Sequence, residues 1–183
     1  MVFWNNRWNT VNSILVIVEG TTDIGFIEGI TERLQVTCRV HLMRGNRPEK
    51  ASRILVALQG EFERAIVLKD LHREGRNRVA LIHKLTDKAK QLEKQGLRLH
   101  IITIKWSIES WILAGLSVNN PEEILDPEEE LKRLMKMKGE QFVKSRELYR
   151  KLAREIVDIK KAMIKSESFR NFIKILTTIE DFT

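Results

Sequence analysis

A single cysteine, Cys38, stands among 183 residues, so no disulfide can form within the chain, and a reducing, cytoplasmic setting is the expectation. The alternation of Cys38, Val40 and Leu42 reads this thiol as part of a buried strand, not as a metal or redox group. Apolar runs are short. None approaches the roughly 18 residues that cross a bilayer, and Ile14–Val18 is too brief for the core of a signal peptide, so no membrane partner is expected. The Gly-x-x-x-x-Gly-Lys loop of P-loop ATPases is absent, and any ATPase acting with this chain would be a separate protein. Repeats and low-complexity linkers are missing too.

What the chain has in excess is positive charge. It carries a formal net charge of +7, with 43% hydrophobic and 31% charged residues, and its pI is about 9.6. Such a balance fits a soluble globular domain and favours polyanions, since lysine and arginine release counterions from phosphates. Nucleic acid, DNA or RNA, is the partner class this points to. A homo-oligomer stays open.

The pattern along the chain alternates. Ile14–Val18 reads as a fully buried strand, short, apolar and β-branched. Ile24, Ile27, Ile30 and Leu34 follow at helical spacing. Thr37 to Met43 reads as a second strand, and Glu49 to Leu58 as a helix closed by Gly60. Ala65 to Leu68 is a third strand ending at Lys69-Asp70, with the polar stretch from His72 to Arg78 as a loop. A helix with Val79, Ile82, Leu85, Ala89 and Leu92 on one face ends at Gly96, before a fourth strand from Leu97 to Ile104 and a helix from Ser107 to Ala114. Four strand–helix units in series predict an α/β fold with a mainly parallel four-stranded sheet and helices on both faces.

From Asn119 the pattern turns helical. Asn120-Pro121 and Asp126-Pro127 each place a capping residue before a proline at the first helical position. Leu148, Leu152, Ile156, Ile159 and Met163 form one helical stripe, and Phe169, Phe172, Ile173 and Leu176 another. The expected division is an α/β body over 1–118 and a helical extension over 119–183 packed on it.

In a parallel sheet, ligands gather where strands run into helices at the carboxyl edge. Glu19 follows the first strand, Asp70 the third, and Glu109 opens the helix after the fourth. Carboxylates meeting at one edge repel unless they are protonated or bridged by a cation, and such hard oxygen donors suit Mg²⁺ or Mn²⁺. Gly20 is expected to let the backbone turn sharply, and Asp23 lies where a helix N-terminus favours negative charge. Asp70 and His72, two apart on an extended segment, can face one site. Glu109 either belongs there or simply lies off the packing face of Ile108, Trp111 and Ile112. For Trp111, core packing is expected.

A strand ending in Glu19-Gly20 with Asp23 four residues on resembles the first motif of Toprim domains, and Asp70-Leu-His72-Arg-Glu-Gly75 resembles their Asp-x-Asp-x-x-Gly. Ile108-Glu109-Ser-Trp111 and Ser168-Phe169-Arg170-Asn-Phe172 look like segments of stand-alone Toprim proteins related to OLD-family nucleases. The resemblance implies a Toprim-like fold and phosphodiester chemistry on nucleic acid. Glu19 would be the general acid/base, Asp70 a ligand of Mg²⁺ or Mn²⁺, and Asp23 and Glu109 would complete a second position. His72 stands where the family has its second aspartate. That departure implies altered metal preference, rescue by Glu74, or loss of activity, the last leaving a nucleic-acid-binding or adaptor module.

Arg44, Arg47, Lys69, Arg73, Arg76, Arg78 and Lys105 lie in or beside the same carboxyl-edge loops. A basic rim of this kind suits a phosphate backbone, with Arg44, Arg47, Arg73 and Lys105 as the expected contacts. The run through Arg146, Arg150, Lys151, Arg154, Lys160 and Lys161 is read as a solvated helix face.

Overall fold

The computed structural model describes residues 14–44, 48–71, 84–87 and 90–178. Its centre is a four-stranded, all-parallel sheet in the order β2-β1-β3-β4. The strands are β1 (Ile14–Val18), β2 (Cys38–Leu42), β3 (Arg64–Asp70) and β4 (Arg98–Ile104). The two inner strands are the ones with uninterrupted apolar runs. Every residue of β1 is buried, and β3 is buried through Lys69, whereas β2 and β4 at the edges are only partly covered. A strand covered on both faces has no solvent side to justify polar alternation.

Side-chain alternation divides the interior into two layers. Ile14, Val16, Val18, Ile66, Leu68, Ile102 and Ile104 face one side. There they meet α1 (Thr21–Leu34) and α3 (Ile108–Gly115), together with the C-terminal helices α4 (Pro127–Met137), α5 (Arg146–Lys151), α6 (Ile159–Lys165) and α7 (Glu167–Thr177). Leu15, Ile17, Ala65, Val67 and Leu99 face the other side, under α2 (Pro48–Ala57) and the helical residues Leu85 and Leu92. The layer beside α1 is therefore the thicker one. At its heart Trp111 is fully buried, with its ring against Phe26, Phe169 and Phe172 and its indole nitrogen donating to Ser168 Oγ at 2.8 Å. Among the described residues no helix is long and apolar enough to cross a membrane.

Two local expectations change. The stripe from Leu148 to Met163 is not one helix: α5 passes into a π turn at Leu152–Ile156, the chain breaks at Val157, and α6 starts afresh. Asp158 caps α6 by accepting the amide of Lys161 at 3.1 Å, and Val157 is buried against Gly115. Tyr149, Leu152, Ala153 and Val157 are buried at helical spacing, and Ala162, also buried, falls out of phase with them, as the break at Val157 permits. Asn120-Pro121 likewise opens only a single 3-10 turn, with Asn120 in a left-handed conformation and no side-chain cap, while Asp126 does cap α4 through the Glu129 amide.

Helix α3 is buried at all eight positions, so its polar residues stand out. Ser110 Oγ has no hydrogen-bond partner among the described residues. An unsatisfied buried hydroxyl is costly. Ser110→Ala is expected to raise stability by about 1 kcal/mol, read as a higher urea midpoint with an unchanged slope.

Candidate functional site

The strand order reverses its direction of growth between β1 and β3. From β1 the chain passes to β2 on one side, and from β3 to β4 on the other, so the connections diverge and leave a crevice at the carboxyl edge. Glu19 follows the last residue of β1, and Asp70 is the last residue of β3. Both inner strands thus deliver a carboxylate to the switch point.

Register and alternation sort the neighbouring side chains. Ile17 pairs with Val67, and two residues further on the same register sets Glu19 beside Lys69. Lys69 lies on the α2 side with Ala65 and Val67, while Asp70 lies on the α1 side with Ile66 and Leu68. Lys69 is only 1% exposed, and its ammonium donates to Glu19 Oε1 as an ion pair. This overturns its place in a basic rim: it is an internal counterion. The residue before a strand-end aspartate points to the opposite face, and that parity was the available signal.

On the α1 side the other acids assemble. Asp23 sits in the first turn of α1, where Oδ2 accepts the Gly20 amide at 2.9 Å. Gly20 itself has φ −120°, an extended conformation open to any residue, so no sharp glycine turn exists here. What its missing side chain provides is room, since a Cβ would stand 3.3 Å from Asp23 Oδ2. Glu109, in the first turn of α3, is 3% exposed. Its Oε1 accepts the Tyr149 hydroxyl at 2.5 Å and lies 3.5 Å from the Lys144 ammonium, which also reaches Glu128 Oε2 at 2.5 Å. The C-terminal segment therefore fixes a carboxylate of the α/β body, a role for Tyr149 and Lys144 that nothing local in the sequence signals.

The acids oppose ionisation at Asp70 and Asp23. Burial, then the charges of Asp23, Glu19 and Glu109, hold the Asp70 carboxyl well above the usual range, with Lys69 acting in the opposite sense. Burial, with Glu109 and Glu19 adding to it, pushes Asp23 up to about 6 against the pull of the Gly20 amide and Lys144. Tyr149 is driven far upward by burial and by Glu109. Lys144 is raised: burial disfavours its charge, but Glu128 and Glu109 outweigh that. Four acids from separate parts of the chain thus sit within electrostatic reach at one edge, and Lys69 and Lys144 do not fully offset them.

A divalent cation fits this donor set in kind and in charge. Among the described residues no three His, Cys, Asp or Glu side chains group closely enough to form a cage. Mg²⁺ does not need one, because it commonly keeps several waters and takes one or two carboxylates together with substrate oxygens. Hard carboxylate oxygens are its preferred donors, and a cation would offset the burial and like charge that hold Asp70 and Asp23 toward their neutral forms.

The remaining expected residues are less central. Arg44 is exposed just after β2, with a left-handed φ of 53° and a carbonyl that accepts from Lys50. Lys105 is exposed just after β4. Arg47, His72, Arg73, Glu74, Arg76 and Arg78 lie outside the described residues, as do Trp4 and Trp8. Part of the basic run on α5 is tied to α1: Arg146 binds Glu28 through two nitrogens, and Arg150 pairs with Glu32. Comparison with protein-family models, with curated proteins and with solved structures finds no match to this chain.

Proposed function

We propose that this is a Toprim-like protein carrying out divalent-cation-dependent phosphodiester chemistry on nucleic acid, most concretely a small cytoplasmic nuclease. The observation that carries the reading is the convergence of Glu19, Asp23, Asp70 and Glu109 at the switch point of a parallel sheet, where burial and the neighbouring acids raise Asp23 and Asp70. Buried like charges are maintained against their own repulsion where chemistry uses them. The Glu19-Gly20 and Asp70-x-His72 motifs and the net charge of +7 support the same substrate class. On this reading residues 1–118 form the Toprim-like body and 119–183 its extension.

Asp70 would hold Mg²⁺ or Mn²⁺, with Asp23 and Glu109 alongside. A bound ion would supply Lewis-acid polarisation of the phosphodiester and a more acidic water. Glu19 takes up or returns the proton of the attacking or leaving oxygen, and Lys69 keeps that carboxylate oriented from beneath. Tyr149 and Lys144 stop Glu109 from swinging away. Arg44 and Lys105 position the phosphate backbone without reading bases.

Incubation with labelled DNA and RNA tests the reading. Cleavage should require Mg²⁺ or Mn²⁺, stop with a chelator, and fall to background in both Glu19→Gln and Asp70→Asn. Cleavage at the parent's rate in both variants would sink the assignment. The Lys69–Glu19 ion pair favours a second reading, in which a lysine supplies the positive charge a metal would bring and the chain binds nucleic acid without turnover. Salt-sensitive binding with no cleavage under any divalent cation would select it.

A further inference from the structure

Beside the carboxylate cluster, at the end of the neighbouring strand, a pocket of about 540 Å³ opens between β2 and α2. His41, Met43, Arg44, Lys50, Arg53 and Ile54 contribute to its lining, and among the described residues none that lines it is an acid. Lys50 and Arg53 stand three apart on α2 and so share a face. Among the described residues no carboxylate pairs with Arg44, Lys50 or Arg53. Elsewhere on the molecule arginine and lysine are repeatedly matched: Arg39 with Glu61, Arg133 with Glu130, Lys144 with Glu128, Arg146 with Glu28. Cations gathered around a cavity without matching acids make an anion site.

The position of the pocket is informative too. Met43, 2% exposed in its floor, donates its amide to the carbonyl of Val18 at 2.8 Å, and Val18 immediately precedes Glu19. Adjacent strands lie roughly 4.8 Å apart, so the cationic pocket and the carboxylate edge are neighbours. Its apolar wall of Met43 and Ile54 beneath charged rims suits a group that is part anion and part carbon skeleton, and its volume is that of a small-ligand site.

We infer that this pocket binds the phosphate of a nucleotide unit, held by Arg44, Lys50 and Arg53. That the unit belongs to a strand whose next phosphodiester reaches the carboxylates rests on the function proposed above; the phosphate site itself does not. The phosphate can be terminal or internal in such a strand, and the two make different predictions.

The test is metal-free binding of single-stranded oligonucleotides, in chelator, across a salt series, so that its outcome is independent of cleavage. Oligonucleotides with a 5′-phosphate and with a 5′-hydroxyl are compared on the parent, Arg53→Gln and Lys50→Gln. Lys136→Gln, an exposed change on α4, is the control for net charge. Each pocket variant should lower the slope of log affinity against log salt by about 0.7, the value per phosphate contact on single strands, while Lys136→Gln keeps the parent's slope. Loss of a 5′-phosphate preference in the variants identifies a terminal phosphate, and an equal loss on both oligonucleotides identifies an internal one; either supports the site. Arg53→Gln is exposed and leaves the fold's contacts intact, so an unchanged slope in that variant overturns the inference. Inorganic phosphate, titrated while following the α2 amide resonances, should shift Lys50 and Arg53 in the parent alone.

Discussion

Metal-free protein is expected to gain stability as the pH falls from 7.5 toward 5, against the usual trend for acidification. A carboxyl whose pKa is higher folded than unfolded makes its full favourable contribution below the unfolded value and loses it as pH rises through the folded one. For Asp23 the rise from 3.8 to about 6 corresponds to about 3 kcal/mol, given up between those two pH values as the group ionises. Asp70, raised well above the usual range by burial and by Asp23, Glu19 and Glu109, acts in the same direction and extends the window upward. The opposing groups are Glu130, Glu155 and Asp158, whose carboxyls are lowered by Arg133, Arg154 and the Lys161 amide, and His100, whose imidazole burial and Arg64 hold below its usual value. The three carboxyls give up their contribution only in more acid solution, whereas His100, half-buried, offsets part of the gain once pH falls below its unfolded value of 6.5. Asp70→Asn keeps the shape and removes the charge, and at pH 7.5 without metal it should unfold at higher urea than the parent. Saturating Mg²⁺ should do for the parent what the mutation does. At a hundred times its dissociation constant an ion adds about 2.7 kcal/mol, and Asp70→Asn should gain little. Urea melts from pH 5 to 7.5, with and without Mg²⁺, measure all of this. A flat profile together with no Mg²⁺ response in the parent would mean that the carboxylates do not share one field.

The sheet was legible because its inner strands carry no solvent face. Ile14–Val18 and Ala65–Leu68 are apolar without alternation, which only a strand covered on both sides tolerates. The acids were legible for a related reason, since a parallel sheet sends every strand end to one edge and the residues just past β1 and β3 had to meet there. Lys69 was misplaced in the basic rim because a lysine near a loop looks like surface charge; strand parity sets its face, but its pairing with Glu19 depends on the register between β1 and β3, which no local pattern encodes. Tyr149 and Lys144 were invisible for a stronger reason. They lie 40 and 35 residues beyond Glu109 in the chain, and their meeting with it depends on how α5 docks on α1. The break at Val157 was hidden because Leu148, Ile156, Ile159 and Met163 keep helical spacing across it though they are half-covered, and among the fully buried positions only Ala162, beyond the break, falls out of phase.

That docking is where a single methyl group should do most damage, at Gly25. Gly25 and Gly29 are four apart on α1 and so lie on one face, and they admit the backbone of α5 directly. A Cβ on Gly25 would lie 2.0 Å from the Arg146 carbonyl oxygen and 2.8 Å from its carbonyl carbon, and one on Gly29 would lie 2.4 Å from the Arg150 oxygen. The obstacle is main chain, which no rotamer change relieves. Gly25→Ala gains about 1 kcal/mol of helix propensity, but it must separate two helices whose contact seals Phe26, Ile30, Tyr149 and Leu152 into the core. Overpacking of a closely fitted interior costs about 1–3 kcal/mol and occasionally more. With backbone as the obstacle, the upper part of that range is expected, leaving a net loss of about 2 kcal/mol or more after the propensity gain. Gly139→Ala is the contrast: its φ of +75° strains an alanine, but nothing lies within 4 Å, so its cost is confined to about 1–2 kcal/mol of left-handed strain. The exposed ion pairs across the same interface, Arg146–Glu28 and Arg150–Glu32, should matter much less, at about 0–1 kcal/mol each. If α5 is forced outward, Tyr149 leaves Glu109, so Gly25→Ala should weaken Mg²⁺ binding as well as folding, while Arg146→Ala leaves Mg²⁺ binding nearly intact. Urea denaturation and Mg²⁺ titration of the three variants decide it. A Gly25→Ala protein as stable as the parent would show that the two backbones do not approach this closely.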